Sequence, residues 1–375
     1  MGRSAFRAPV RLCLCALLLS CAGPAADARR EHVYIPRGAS LLAVTDTLVA
    51  HGIVAARASF RWYARMRGLA RHVRPGRYEF PAGERWSTIV AALRSGRTDD
   101  IYFTVPEGLT VVEIADLAAA SLRLARDSVQ SAVRDSFLAA ARDTALRAEA
   151  LIPVPRGVKE PLEGYLLPET YRVAYDDGAR DVVRHMVRQF AALWDSSRER
   201  RAQELGLSRH QVVTLASIVE AEAQVASERP RIAGVYMNRL RRGMLLQADP
   251  TVIYALGLRK PVRVLLRHLK APSPYNTYRF PGLPPGPIGN PGRASLDAVL
   301  NPMAHNLYFF VARPDGRHMF SRTPKEHADS VAVARVLRAQ WDARKDSLAA
   351  AARDSVARAL ASTPRAGSAT PATRP

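Results

Sequence analysis

Apolar residues recur at helical spacing through SRHQVVTLASIVEAEAQVASERPR, residues 208–231: Val212, Leu215, Ile218, Val219 and Ala226 fall on one stripe. Ser208 is a suitable N-cap, and Pro230 is expected to end or kink the run. Further on, Asp249-Pro250 predicts a helix start with Asp249 as the cap, closed by Gly257. Asn290-Pro291 predicts another, ahead of GRASLDAVL. Earlier in the chain the pattern is shorter and repeats. VYIPRGASLLAVTDTL (residues 33–48) superposes on FTVPEGLTVVEIADL (103–117), with Pro36, Gly38 and Ser40 matching Pro106, Gly108 and Thr110. A looser copy, EFPAGERWSTIVAAL, occupies residues 79–93. Each copy predicts a strand, a Pro/Gly turn and a capped helix.

Composition divides the remainder. Residues 121–150 are rich in Ala, Arg and Asp, with Phe137 as their one aromatic, and predict solvated helices. From residue 157 to about 327, aromatics, Gly and Pro become dense, so a site is expected there. Beyond Trp341 a fraying helix leads into a Pro/Ala/Thr/Arg tail, expected to be disordered over residues 346–375. The length, 375 residues, suits two domains.

The first residues predict export. Arg3, Arg7 and Arg11 precede a short apolar run at residues 12–20, too short to span a bilayer. LLSC at residues 18–21 resembles a lipoprotein signal that would place a lipid on Cys21, a reading preferred over cleavage near Ala28. All three cysteines lie in this leader, so the remaining chain has neither disulfide nor thiol metal site. No histidine-based metal spacing and no phosphate-binding glycine loop is present, and no cofactor or metal is expected. The formal charge of +21 suits nucleic acid, an anionic membrane surface or an acidic polymer. Export removes nucleic acid from that set.

The chemistry centres on two acids inside the apolar helix. Glu222 falls on the stripe of Leu215, Ile218 and Val219, and Glu220 points roughly the opposite way. A carboxyl among apolar side chains is penalised when charged, so its pKa is expected to rise, which suits a general acid. On spacing alone, a buried pair between Glu222 and an arginine of residues 239–242 is the reading preferred over catalysis. Around this helix, PLEGYLLPETYRV interleaves Glu163 with tyrosines, residues 247–249 supply Gln247 and Asp249, and the Pro/Gly-rich loop 273–292 carries Tyr275 and Asn276. Flat rings and amides on a stiff loop suit a carbohydrate.

Together ASIVEAEA, SERPRIAGVYMNRLRRGMLLQADPTVIYALG, SPYNTYRFPGLPPGPIGNPGRASLDAVLNP, LEGYLLPETY and YFFVARPDGRHMFSRTPKEH resemble the endolytic murein transglycosylases of the MltG/YceG-like family, over about residues 33–340. The Pro-x-Gly repeat is similar to the sugar-binding LysM module that the family carries. The resemblance implies an α+β fold: a leader at 1–21, a LysM-like subdomain at 32–98, and a mixed catalytic domain at 99–345 built on a central helix, with the insert 121–150. It implies a lyase that cuts the β-1,4 bond between N-acetylmuramic acid and N-acetylglucosamine, leaving 1,6-anhydro ends. Glu222 would be its single general acid and base. Glu163, Gln247, Asp249, Tyr275 and Asn276 are the candidates for holding the sugar. The alternatives are a wall-binding protein without catalysis and a two-carboxylate hydrolase with Glu163 or Asp249 as the second acid. Peptidoglycan strands are the expected partner, with membrane attachment on the outer, periplasmic face. Family members commonly have a transmembrane helix where this chain has its leader, so peptidoglycan synthases stay candidate partners only.

Overall fold

The structure, a computed structural model, describes residues 29–96, 101–122, 130–153, 155–174, 177–258 and 264–361. The leader with Cys21 lies outside the described residues. Among those described, no helix is long and apolar enough to cross a membrane. The fold is α+β, with many helices and three two-stranded antiparallel sheets. The chain forms two compact units: residues up to 151 with 160–162 and 166–193, and residues 152–159, 163–165 and 194 onward.

In the first unit, β1 (Arg30–Ile35) pairs with β2 (Gly76–Pro81), with Val33 opposite Tyr78. Helices α1 (Leu41–Ala50) and α2 (Arg57–Met66) lie between them in sequence, and α3 (Trp86–Ser95) follows. Val33, Ile35, Val44, Leu48, Phe60, Tyr78, Ile89 and Leu93 form the core of this β-α-α-β piece. The repeat read from the sequence is present as geometry. Gly38 (φ 78°) turns the chain out of β1, and Ser40 caps α1 by accepting the Ala43 N–H. Gly108 (φ 80°) does the same after β3 (Ile101–Thr104), and Thr110 caps α4 (Val111–Ser121) in a reciprocal box with Glu113. The third copy keeps strand, glycine turn and helix, but Arg85 stands at its cap without a side-chain bond.

β3 pairs with β4 (Thr170–Val173). Between them run α5 (Gln130–Ala141) and α6 (Thr144–Glu149), and α7 (Ala179–Leu193) follows. The expectation of wholly solvated helices over 121–150 needs correction. Val133, Phe137, Ala140 and Ala141 of α5 are buried, because they form an apolar stripe that packs against α4 and α7.

The second unit is built around one buried helix. α8 (Ser196–Glu204) leads to α9 (Arg209–Glu222), which is buried at every position from Val212 to Val219. Ser208 caps α9 in a box with Gln211. The helix ends at Glu222, eight residues earlier than its apolar pattern suggested. Ala226 lies in a short 3-10 turn, and Pro230 opens the next helix, α10 (Arg229–Arg241), where its missing N–H costs nothing. α11 (Asp249–Leu256) ends at Gly257 as expected, but its cap is Ala248, and Asp249 is the first helical residue. Likewise Gly292, not Asn290, caps α12 (Arg293–Leu300). A hairpin of β5 (Phe309–Ala312) and β6 (His318–Ser321) then packs on α13 (Pro324–Ala361). Residues 346–361, expected to be disordered, continue α13, since Ala dominates that stretch, with Leu and Arg, and all three favour helix.

Gly164 shows how tightly this unit closes. Its φ is 84°, and an added Cβ would meet Pro287 Cγ at 2.5 Å and Val213 Cγ1 at 2.7 Å. Gly164→Ala combines overpacking with left-handed strain and is expected to lower stability by about 3 kcal/mol. The shift of the urea midpoint measures it.

Candidate active site

All the side chains of the site belong to the second unit. Three polar groups on the otherwise apolar surface of α9 meet the Pro/Gly-rich loop. His210 Nε2 lies 2.8 Å from the Pro285 carbonyl, Ser217 Oγ accepts the Ile288 N–H at 3.0 Å, and Glu220 Oε2 accepts the Gly292 N–H at 3.1 Å. Pro285 offers only an acceptor, so Nε2 holds the proton and Nδ1 accepts from the Tyr165 hydroxyl at 2.9 Å. The loop is thereby laid along the helix.

Glu220 is also ion-paired. Its Oε1 accepts from Arg229 Nη2 at 2.9 Å, the two side chains being 7% and 13% exposed. Arg229 continues to Ser295 Oγ at 3.0 Å. A buried carboxylate–arginine pair of the kind weighed for Glu222 is thus formed by Glu220 and Arg229, and the charges of Glu222 and Arg239 also interact.

Glu222 is half-buried at the C-terminal end of α9. α10 brings Tyr236 to it, and the phenol donates to Glu222 Oε1 at 3.0 Å. Tyr236 is 1% exposed, and its ring stands edge-on to Phe310 at 5.7 Å. Burial, and then the charge of Glu222, push this phenol well above its ordinary range, so it stays a donor. Beside it, the Tyr278 hydroxyl donates to Asp249 Oδ1 at 2.6 Å. Burial first, then Asp249 and the charge of Glu222, raise Tyr278 as well.

Arg239 underlies this group. It bonds the carbonyls of Tyr308 (2.6 Å) and Leu246 (2.8 Å) and reaches Gln247 Oε1 at 3.5 Å. Gln247 has φ 50°, rare outside glycine, and its N–H donates to the Thr277 carbonyl at 3.1 Å. Its side chain is exposed, as is that of Asp249.

The structure brings Glu222, Gln247 and Asp249 together and places the other three candidates differently. Glu163 is 1% exposed and accepts from Tyr254 and Asn290, each at 3.1 Å. The buried Tyr275 hydroxyl accepts the Lys159 N–H at 3.3 Å, and burial pushes it up to about 12. Asn276 is fully buried and spends its amide on the carbonyls of Leu269 and Ala271. These three build the platform and the loop. Direct sugar contact, expected of them from the sequence, is not what such burial supports.

Tyr236 was missed as a partner of Glu222, whereas Arg239 lies within the stretch 239–242 considered for it. Tyr236 sits 14 residues beyond Glu222 across a helix break, where periodicity marks it as an ordinary core aromatic. Among the described residues, no cluster of His, Cys, Asp and Glu could hold a metal ion.

The YceG-like family model matches residues 33–333. The chain belongs to this family. Among its YceG-like relatives, an endolytic murein transglycosylase of Bacillus subtilis is 33% identical over 299 residues, covering 79% of this chain and 82% of that protein. One from Streptococcus pneumoniae is 27% identical over 327 residues, and the match spans 57% of that longer protein. A crystal structure of a yceG-like protein from Listeria monocytogenes superposes with a TM-score of 0.56 at 30% identity, covering 80% of this chain and 98% of that one.

The His210 contacts carry a pH consequence. Burial lowers its pKa below the ordinary 6.5, against a smaller opposing effect of the Pro285 bond. The unfolded chain therefore binds the proton more readily. The stability that neutral His210 provides is complete above pH of about 6.5 and is lost as pH falls below it. Denaturation midpoints measured across that range should fall more steeply for the parent than for His210→Gln.

Proposed function

We propose that this chain is a peptidoglycan lytic transglycosylase of the endolytic kind, with Glu222 as its one acid and base. The observation that carries the reading is the half-buried Glu222 carboxyl, held by a neutral Tyr236 hydroxyl beside the exposed Gln247 and Asp249. Family membership and the activity for which the relatives are named support the same substrate.

The reaction breaks the bond between C1 of N-acetylmuramic acid and O4 of N-acetylglucosamine. Glu222 gives its proton to O4, which leaves as a hydroxyl. The muramic C6 hydroxyl, tethered beside C1, closes on it and returns a proton to the Glu222 carboxylate. No water is consumed, and a 1,6-anhydro end results. Tethering supplies the effective concentration that a second carboxylate supplies in hydrolases. Tyr236 fixes the rotation of the carboxyl between the two steps. Gln247 and Asp249 are placed to meet sugar hydroxyls or the N-acetyl group. Positive charge developing at C1 is stabilised by nearby carboxylate charge.

The β-α-α-β piece of the first unit is the LysM-like part of this reading, two paired strands with two helices between them, and is assigned to wall binding. Export, with Cys21 as a lipid site and action at the outer face of the membrane, completes it. One observation favours a second reading. Asp249 shares the Tyr278 cluster with Glu222, so it is the carboxylate a hydrolase would use.

Mass spectrometry of products from purified glycan strands separates these. Anhydro ends, one water lighter than reducing ends, support the transglycosylase, whereas reducing ends make the enzyme a hydrolase. Glu222→Gln should fold normally and lose at least about a hundredfold in cleavage rate, the usual contribution of general acid catalysis. Glu220→Gln should instead lose about 3 kcal/mol of stability, because it leaves Arg229 buried without its partner, while retaining cleavage at low temperature. Reversal of these two outcomes would exchange the roles of the acids.

A further inference from the structure

The inner face of α2 is settled by Phe60 and Ala64, both fully buried. Its outer face carries Trp62, 67% exposed, and Met66, 70% exposed, one helical turn apart. A single exposed apolar residue is ordinary. This pair sits in an unusual charge setting. From residue 47 to 78 the chain has no Asp or Glu, and it has seven arginines, at positions 57, 61, 65, 67, 71, 74 and 77. Arg65, Arg67 and Arg71 are exposed. Arg57 is paired with Asp46 at 3.3 Å, and Arg67 lies over the Tyr63 ring at 5.3 Å.

We propose that this face of α2 docks on an anionic phospholipid bilayer. Trp62 and Met66 enter the boundary between headgroups and acyl chains, and the arginines of α2 and the turn after it hold headgroup phosphates. The chemistry selects a bilayer over a polysaccharide. Tryptophan stacks on sugars and also prefers the membrane interface, but an exposed thioether has no flat face to offer a sugar ring. Arginine matches phosphate with two parallel bonds, and its long stem lets the head stay at the phosphate level while the helix sits lower.

The surface is small, since α2 has 10 residues. One shallow amphipathic contact holds a protein only reversibly, and two membrane signals together hold it firmly. The second is the N-terminal segment. The chain enters the described fold at Arg29, next to β1, so whatever that segment attaches to tethers this unit first. α2 then sets how the unit lies on the surface. None of this depends on what the Glu222 site does.

The test uses the whole chain and vesicles of phosphatidylcholine and phosphatidylglycerol with brominated acyl chains, which quench tryptophan on contact. The chain has four tryptophans, and subtracting the signal of Trp62→Phe isolates Trp62. The Trp62 component should fall by at least about twofold on these vesicles and recover at high salt. It should change little on vesicles of brominated phosphatidylcholine alone. Arg61→Glu with Arg65→Glu should abolish the quenching while circular dichroism stays unchanged. An unchanged Trp62 signal on a chain that floats with the vesicles would overturn the proposal, because the leader alone would then be the anchor. Equal quenching on uncharged vesicles, unaffected by salt, would also overturn it. A Trp62 response to soluble glycan strands but not to vesicles would assign the face to polysaccharide instead.

Discussion

A helix buried on every side can carry polar groups only if something answers them, because an unanswered buried polar group costs several times what a made hydrogen bond contributes. α9 is such a helix, and three of its answers come from one loop. His210, Ser217 and Glu220 take successive backbone groups at residues 285, 288 and 292. The proline-rich loop owes its course to those contacts. They also fix where α12 begins, since the Gly292 N–H that Glu220 accepts belongs to the cap of that helix. The second unit is held in register by polar bonds set inside an apolar core.

That arrangement explains why the chain places two acids so close together. Their carboxylates stand in opposite surroundings, and the helix end separates them. Glu220 lies two residues inside, where Arg229 and a backbone N–H answer it. Glu222 lies on the last helical residue, where the chain turns away and leaves the carboxyl half-exposed. Around Glu222 the protein supplies phenols that burial keeps protonated, and a guanidinium tied to carbonyls.

Much of this was legible in the residues. The Pro-Gly-Ser/Thr punctuation fixed two strand-to-helix turns, because glycine's positive φ and a hydroxyl cap are local requirements that no tertiary contact needs to supply. The buried helix and its two acids were visible as a pattern. Its end was not, since Ala226 kept the apolar period going through a turn. Nor was the pairing of Glu220 with Arg229, nine residues on and past that break. Glu163, Tyr275 and Asn276 looked like sugar ligands because aromatics and amides serve loops and ligands alike. Only their burial separates the two uses. Phe137 told against a solvated α5, but one aromatic in a run of alanine and arginine was too weak a stripe to read.

Gln247 holds a backbone shape that glycine would adopt without strain, at a penalty of about 1 kcal/mol. Its amide leans on Arg239 and its body stands in water beside Asp249. Glycine at 247 would relieve that backbone shape and remove the amide at the same time, so firmness of the fold and the polar group standing beside Asp249 are set against each other at one position.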